Sequence, residues 1–152
     1  PGQELPRLPA KLAYDEVPYQ GPVGGIYYGL KAIRHDLAFV LSCDVPFFSY
    51  SLISHLISLA QNYDVVVPVW KRRLQPVFAV YRRSLATALR DQLDRGKLRP
   101  VFLFDKVRTL KVRDQQIRRF DPEGLSFLNM NTPETYRLAL ERWKKRRNYF
   151  PS

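Results

Sequence analysis

The residue best suited to ligand chemistry is Asp44, which closes an apolar run that begins at Leu37. Pro46 follows two residues later and cannot donate a ladder hydrogen bond, so the predicted strand must stop there. In open α/β sheets, ligands bind beyond the carboxyl ends of strands, and Asp44 is a carboxylate at such an end. An Asp in this position is also common in ordinary turns. Asp44 is therefore a candidate binding residue, with turn formation as the alternative.

A second candidate is the segment Gly21–Gly25, in which three of five residues are glycine. Glycine allows the backbone to approach a ligand closely or to turn tightly. A helix is predicted to follow, with Ile26, Leu30 and Ile33 on one face. The first N–H groups of a helix have no partner within it, so such a start can bind an anion or a nucleotide. Glycine also begins many helices that bind nothing, and this alternative stays open.

A third candidate is the pair Asn129 and Asn131, just before the last predicted helix. Phe127–Leu128 is predicted as a short strand, and Thr132 is predicted to cap the helix, with Pro133 as its first residue. Asparagine is frequent in turns because its side chain can hydrogen-bond to the backbone nearby. From the residues alone, turn formation is the favoured explanation for this pair.

The elements that would position these residues alternate between strands and helices, which predicts an α/β fold. The run from Leu37 is apolar at every position, which is typical of a strand covered on both faces of its sheet. The other predicted strands are Lys11–Val17, Asp64–Trp70, Gln75–Tyr81 and Arg108–Arg113, while Arg99–Asp105 fits either a strand or a helix. Helices are predicted from Ser49 or Ser51 to Asn62, from Ser84 to Gly96, and over a C-terminal segment that buries Tyr136, Ala139, Leu140 and Trp143.

Composition limits the possible classes of protein. The 152 residues predict one domain, and 45% hydrophobic content is enough for a core. Cys43 is the only cysteine, which excludes a disulfide framework and fits the cytoplasm. No apolar stretch approaches the ~20 residues that span a bilayer, so no membrane association is expected. The chain has no Walker-type P-loop, no His/Cys set with metal-binding spacing and no Ser/His/Asp signature.

The net charge of +11 predicts polyanionic partners, either nucleic acid or a phosphorylated small molecule. The basic residues are spread along the chain, with clusters that include Lys71-Arg72-Arg73. A nucleic-acid-binding module is the alternative function, and it would need exposed aromatic side chains beside a basic stripe. The aromatics Phe39, Phe78 and Tyr81 lie in apolar strand patterns instead, which predicts that they belong to the core and makes nucleic acid the less favoured partner.

Five segments form an ordered set of motifs: Gly21–Gly25, Ser42–Pro46, Leu74–Arg83, Gly96–Arg99 and Asn129–Glu134. In this order they resemble the GPLAG, CD-x-P, LQPLFALYRR, G-x-x-R and NVNTPE motifs of the molybdenum cofactor guanylyltransferases, the MobA family. The resemblance runs from about Asp15 to the last helix. It implies a single domain with a three-layer, Rossmann-like nucleotidyltransferase fold and a mostly parallel sheet.

The family transfers GMP from Mg-GTP to the terminal phosphate of molybdenum-bound molybdopterin and releases pyrophosphate. The resemblance therefore implies a nucleotidyltransferase with GTP and Mo-molybdopterin as substrates, Mg²⁺ as cofactor, and molybdenum-insertion proteins and molybdoenzyme chaperones as possible partners. It assigns residues as follows. Asp44 is catalytic and holds the metal; Asp15, Gly21, Pro22, Val23, Gly24 and Gly25 bind the nucleotide; Arg99, Asn129 and Asn131 bind molybdopterin.

The family pattern begins with a LAGG-type loop that grips the triphosphate, and this loop has no counterpart here. The chain also begins without Met. We therefore expect a fold truncated at the N-terminus, with low or no activity for this chain alone and an uncovered strand edge. The alternatives within this class are the cytosine-specific sister family, which this region resembles less, another sugar or cofactor nucleotidyltransferase, and a catalytically silent relative that binds the cofactor.

Overall fold

A computed structural model describes residues 10–149, which form one five-stranded sheet with helices on both faces. The predicted loop or frayed end at residues 1–10 lies almost entirely outside this range. The strands are β1 (Leu37–Leu41), β2 (Val65–Trp70), β3 (Arg73–Leu74), β4 (Phe78–Arg82) and β5 (Thr109–Arg113). The helices are α1 (Gly21–Ala32), α2 (Tyr50–Ser58), α3 (Ala86–Asp94), α4 (Asp114–Ile117) and α5 (Pro133–Tyr149).

The predicted α/β class is confirmed, but the expectation of a mostly parallel sheet needs correction. β4 pairs antiparallel with both β1 and β2, and β3 pairs antiparallel with β2. The reason is connectivity: β2 returns through a tight turn, and a connection that short joins only antiparallel strands. β5 pairs parallel with β2. Since β1 and β2 both oppose β4, the strands β1, β2 and β5 run the same way and end at one edge.

Alternating side chains divide the core into two clusters, one on each face of the sheet. Val65 and Val67 of β2 face α1 and α3, whereas Val66 faces α2 and α4. This alternation is the period-two pattern of a strand buried on both faces. In β4, Tyr81 and Phe78 point to opposite faces and are 0% and 2% exposed. These two aromatics belong to the core, as predicted, and are not available to stack on nucleic-acid bases.

β1 is less buried than its apolar sequence suggests. All its residues are half-buried except Leu41, which is exposed. Within residues 10–149, β4 is the only strand that pairs with it, so β1 lies at an edge of the sheet. Both faces of β1 nevertheless pack against the core, Ala38 and Val40 on one face and Leu37 and Phe39 on the other, as predicted for a strand covered on both faces of its sheet.

Three local predictions were wrong. Lys11–Val17 is not a strand, since no strand in the described part of the chain pairs with it. Phe127–Leu128 is not a strand either, because a 3₁₀ turn occupies Leu125–Phe127. In α5, Ala139 is buried as predicted, but Tyr136, Leu140 and Trp143 are exposed. Arg99–Asp105, whose sequence fitted either a strand or a helix, contains a 3₁₀ turn at Pro100–Leu103.

Several caps agree with the sequence. The Ser49 hydroxyl accepts a hydrogen bond from the Leu52 N–H at the start of α2. The Thr132 hydroxyl accepts one from the Thr135 N–H, and Pro133 is the first residue of α5. Gly96 has the left-handed conformation, with φ of 67°, just after α3. These features are predictable because each depends only on residues close in sequence.

Gly124 packs directly against the indole of Trp70. A Cβ at position 124 would lie 2.2 Å from two indole carbons, and its φ of +67° is left-handed. Trp70 also stacks on the Phe127 ring, with centroids 5.4 Å apart, and the Arg118 guanidinium carbon lies 4.7 Å from the centre of its ring. The indole is therefore held by several contacts at the end of β2, and only glycine fits at position 124.

We predict that Gly124→Ala lowers the free energy of unfolding by about 3 kcal/mol or more, because it adds a steric clash to left-handed strain. Gly96→Ala is the matched control: its φ is the same, but nothing lies within 4 Å of its Cβ position. The control should lose only about 1–2 kcal/mol. Urea unfolding of both variants measures the difference, and equal losses would show that the contact with Trp70 is unimportant.

Asp64 joins the starts of β2 and β5. Its carboxylate accepts hydrogen bonds from the backbone N–H of Arg108 at 3.0 Å and from the Arg108 guanidinium at 3.2 Å. The side-chain hydrogen bond from Arg108 is the main reason that the pKa of Asp64 lies below its usual value. These hydrogen bonds help to hold β2 and β5 in the register that brings their carboxyl ends to the same edge of the sheet.

We predict that Asp64→Asn destabilises the fold at pH 7 and that its difference from wild type shrinks in acid. A carboxyl with a lowered pKa stabilises the folded state above its unfolded pKa of about 3.9, and that stabilisation disappears as the pH falls through the folded pKa. Urea unfolding between pH 7 and pH 3 tests this. A difference that stays constant over that range would contradict the prediction.

Candidate functional site

The end of β1 is fixed by two backbone hydrogen bonds that hold Asp44 at the sheet edge. The Ser42 N–H donates to the Val77 carbonyl at 2.9 Å, which continues the pairing one residue beyond β1. The Met130 N–H then donates to the Asp44 carbonyl at 2.9 Å. The chain is therefore held on both sides at the point where the carboxylate leaves the sheet.

The same contact brings the predicted asparagines to Asp44. Met130 lies between Asn129 and Asn131, so both flank a residue that is hydrogen-bonded to Asp44. Neither asparagine side chain makes a hydrogen bond within residues 10–149, although a turn-stabilising role would require one. Asn129 is half-buried and Asn131 is exposed. Their amide groups are thus available to a ligand, which argues against the turn explanation.

The Asp44 carboxylate itself also lacks a turn-forming role. An Asx turn needs the backbone N–H two residues on, and that residue is Pro46, which has none. Its Oδ1 atom is buried without a hydrogen-bond partner in the described structure. An unpaired buried carboxylate oxygen is costly, and a bound cation would remove that cost. The fold therefore leaves one carboxylate oxygen free at the edge where ligands bind.

This arrangement fits Mg²⁺ shared with a phosphorylated ligand. Mg²⁺ is usually bound by one or two carboxylates plus substrate phosphates. Residues 10–149 contain no cluster of three or more His, Cys, Asp or Glu side chains that could hold a metal alone. Cys43, next to Asp44, is exposed and is a poor ligand for this hard cation. A metal held jointly by Asp44 and nucleotide phosphates is compatible with these residues.

The glycine segment forms the start of α1, where each glycine has a different environment. Gly21 has a left-handed φ of +58° beside the Leu98 carbonyl, and a Cβ on Gly24 would lie 2.7 Å from Gln20 Cβ. Gly25 is exposed with nothing within 4 Å of its Cβ position. The fold explains the first two glycines by conformation and packing. It gives no packing reason for Gly25.

The other residues predicted to bind the nucleotide differ in how far their side chains are exposed. Asp15 Oδ2 lies 3.8 Å from the Cβ position of Gly24, so the carboxylate is beside the start of α1. Pro22 is exposed, but the Val23 side chain is 0% exposed within the core. Val23 therefore has only backbone groups to offer, and its role in binding the nucleotide stays a prediction.

Arg99 lies with the glycine segment. Its neighbour Leu98 contacts Gly21, and its guanidinium carbon is 6.0 Å from the centre of the Phe102 ring. No hydrogen bond joins Arg99 to Asn129 or Asn131 in the part of the chain described here. The structure thus forms two groups, one around Asp44 and the asparagines, the other around Asp15, Gly21 and Arg99.

The direction of α1 places both groups at the same end of the sheet. Ile26 and Leu30 pack α1 against the sheet, and a short connection then leads into the start of β1. A helix packed in this way runs opposite to the strand that follows it. Its first residues therefore lie toward the carboxyl end of β1, which is the end that carries Asp44.

A cavity of about 740 Å³ opens at this edge and includes residues that sequence reasoning did not assign to a site. Asn129 lines it together with Lys71, Arg73 and Arg142. The basic cluster at positions 71–73 was visible in the sequence. Its position beside Asn129 depends on the fold, so the shared cavity could not be predicted from the sequence.

Comparison with known proteins places the chain in a family. The profile of the MobA-like NTP transferase domain matches residues 2–110. A molybdenum cofactor guanylyltransferase from Desulfosudis oleivorans is 33% identical over 82% of this chain and 62% of its own length. A probable molybdenum cofactor guanylyltransferase from Methanosarcina mazei is also 33% identical, over 86% of this chain and 59% of its own. The chain thus spans about three fifths of the length of these relatives.

Comparison with solved structures supports the same family. The crystal structure of molybdopterin-guanine dinucleotide biosynthesis protein A from Archaeoglobus fulgidus superposes with a TM-score of 0.73 at 25% identity. It covers 82% of this chain and 64% of that one. A putative protein from Aquifex aeolicus shares the fold with a TM-score of 0.66 at 24% identity, over 79% of this chain and 61% of its own. With the ordered motifs and the profile match over more than half its length, the chain belongs to the family of MobA-like NTP transferase domains.

Proposed function

We propose that the protein containing this chain is a molybdenum cofactor guanylyltransferase. It would transfer GMP from Mg-GTP to Mo-molybdopterin, giving the guanine dinucleotide form of the cofactor and pyrophosphate. The observation that carries the proposal is the carboxylate oxygen of Asp44 at the sheet edge, which has no hydrogen-bond partner in the described structure. It lies beside two asparagines whose side chains make no hydrogen bond within residues 10–149. The names of the curated relatives support the choice of reaction.

In this proposal Asp44 binds Mg²⁺ together with the nucleotide phosphates. The metal, when bound, neutralises negative charge at the phosphorus under attack. An oxygen of the acceptor phosphate forms the new bond to the α-phosphorus, and the bond to pyrophosphate breaks. The chain's own residues orient the two reactants, which supplies much of the catalysis in phosphoryl-type transfer.

The other residues divide between the two substrates. The start of α1 with Gly21 and Gly25 lies against the nucleotide, and Asp15 binds its ribose or base. Asn129 and Asn131 donate hydrogen bonds to the acceptor. The resemblance assigned Arg99 to molybdopterin; its neighbour Leu98 lies beside Gly21, which supports the alternative that Arg99 acts on the nucleotide side. The cytoplasm is the proposed location; within residues 10–149 no helix has the length and apolar character needed to cross a membrane.

The first prediction concerns Asp44. In the intact protein, Asp44→Asn should abolish the Mg²⁺-dependent part of GTP binding, because an amide oxygen carries no charge for the metal. Isothermal titration with GTP, with and without Mg²⁺, measures this. Asp105→Asn, an exposed carboxylate whose side chain forms no described hydrogen bond or ion pair, is the control and should bind as wild type does. Unchanged binding by Asp44→Asn would contradict the metal role, and tighter binding of CTP than GTP would favour the cytidylyltransferase alternative.

The second prediction concerns Gly25. Gly25→Ala should raise the free energy of unfolding by about 0.5–1 kcal/mol, since alanine favours a helix where nothing crowds its Cβ. If the nucleotide lies on this glycine, the same change should weaken GTP binding about tenfold or more, which corresponds to about 1.4 kcal/mol.

Gly29→Ala is the matched control, because Gly29 lies on the same helix and its Cβ position is also free within 4 Å. It should stabilise the protein similarly and leave GTP binding unchanged. If both variants bind GTP equally well, Gly25 does not face the nucleotide.

A further inference from the structure

The turn between β2 and β3 has an unusual conformation for its sequence. Lys71 and Arg72 both have positive φ, at 47° and 66°, and Trp70 pairs with Arg73 across them. Two positive φ values in a two-residue hairpin define a type I′ turn, for which Asn-Gly is strongly preferred. Two long cationic side chains are strained in these positions. Strain retained at a specific place is a reason to look for function there.

Hydrogen bonds to neighbouring residues hold the backbone of the turn, whereas its charged side chains form no ion pair. The Asp114 carboxylate accepts a hydrogen bond from the Lys71 backbone N–H at 3.2 Å, and Gln75 Nε2 donates to the Arg73 carbonyl at 3.3 Å. The side chains of Lys71, Arg72 and Arg73 are exposed and form no ion pair with any residue that the structure describes. The fold therefore accepts strain to present three uncompensated positive charges on a fixed backbone.

These charges stand at the cavity that contains Asn129. Lys71 and Arg73 line it from the turn, and Arg142 lines it from α5, held by an ion pair with Glu123 at 2.6 Å. The cavity therefore has more positive than negative charge. Its volume of about 740 Å³ lies within the range of small-molecule sites.

Most of the other residues that line the cavity are apolar. Leu74, Leu125 and Leu138 line the cavity, and Leu138 is 41% exposed. Asn129, which lines the cavity, is adjacent to Met130, which is hydrogen-bonded to Asp44. Apolar walls beside cations suit a ligand with a flat ring system and an anionic group.

We propose that Lys71 and Arg73 are specificity-determining residues at this cavity, where they bind the phosphate of the acceptor. The inference rests on the proposed function, in which the acceptor is a phosphorylated pterin derivative. Lys71 and Arg73 attract the phosphate, Asn129 donates a hydrogen bond to it, and the leucines contact the ring. Lys71 and Arg73 thereby supply the acceptor site with positive charge, which the uncharged asparagines do not provide.

The test measures the binding of 6-hydroxymethylpterin monophosphate to the intact protein by pterin fluorescence. Unphosphorylated 6-hydroxymethylpterin and inorganic phosphate are titrated separately, to distinguish ring binding from phosphate binding. The main variant is Lys71→Asn with Arg72→Gly, which installs the preferred turn residues and removes two charges. A second variant, Arg73→Gln, leaves the turn positions unchanged.

The double variant should melt a few degrees higher because its turn is no longer strained, and yet bind the pterin monophosphate about tenfold more weakly, since charge-assisted hydrogen bonds are lost. Arg73→Gln should also weaken binding. The matched control is Arg95→Gln with Lys106→Gln, which removes two exposed charges at a different cavity and should bind as wild type does.

The proposal is overturned if the wild-type protein does not bind the pterin monophosphate, if the turn variants bind it as wild type does, or if the control loses as much affinity. Mg-GTP binding is measured in parallel and should be unchanged in the turn variants. The two proposals can therefore fail separately. An Asp44→Asn variant that binds Mg-GTP normally refutes the proposed metal role, whereas the pterin titrations test the roles of Lys71 and Arg73 at the cavity.

Discussion

The hydrogen bond from the Met130 N–H to the Asp44 carbonyl joins the two parts of the chain that the candidate site needs. One part is the end of an edge strand, and the other is the loop before the last helix. Without this contact, a carboxylate at a strand end and two asparagines before a helix would be separate turn residues. With it, a carboxylate and two amide groups share one edge, and a cavity lies beside Asn129.

The site also shows how the fold tolerates unfavourable local features. An unsatisfied buried polar atom costs about 1–3 kcal/mol, which is a sizeable fraction of the stability of a domain. Asp44 Oδ1 is such an atom, and Pro46 prevents the local hydrogen bond that would satisfy it. The strained Lys71-Arg72 turn adds a second cost. Both lie at the same edge of the sheet.

Much of the fold was predictable because its signals are local. The strand of residues 65–70, the caps at Ser49 and Thr132 and the left-handed Gly96 follow from neighbours in sequence. The placement of Asp44 at a strand end was predictable for the same reason. Other features depend on which elements meet. The sequence could not show that β1 has one partner strand, that Val23 faces the core, or that α5 buries Ala139 but exposes Trp143.

The exposed thiol of Cys43 gives this protein a convenient property for experiment. It is the only cysteine in the chain and adjoins the residue proposed to hold the metal. Within these 152 residues, a maleimide dye or a nitroxide would therefore attach at a single place. Its emission or its paramagnetic line shape would report directly on events at the carboxyl edge of the sheet, in real time.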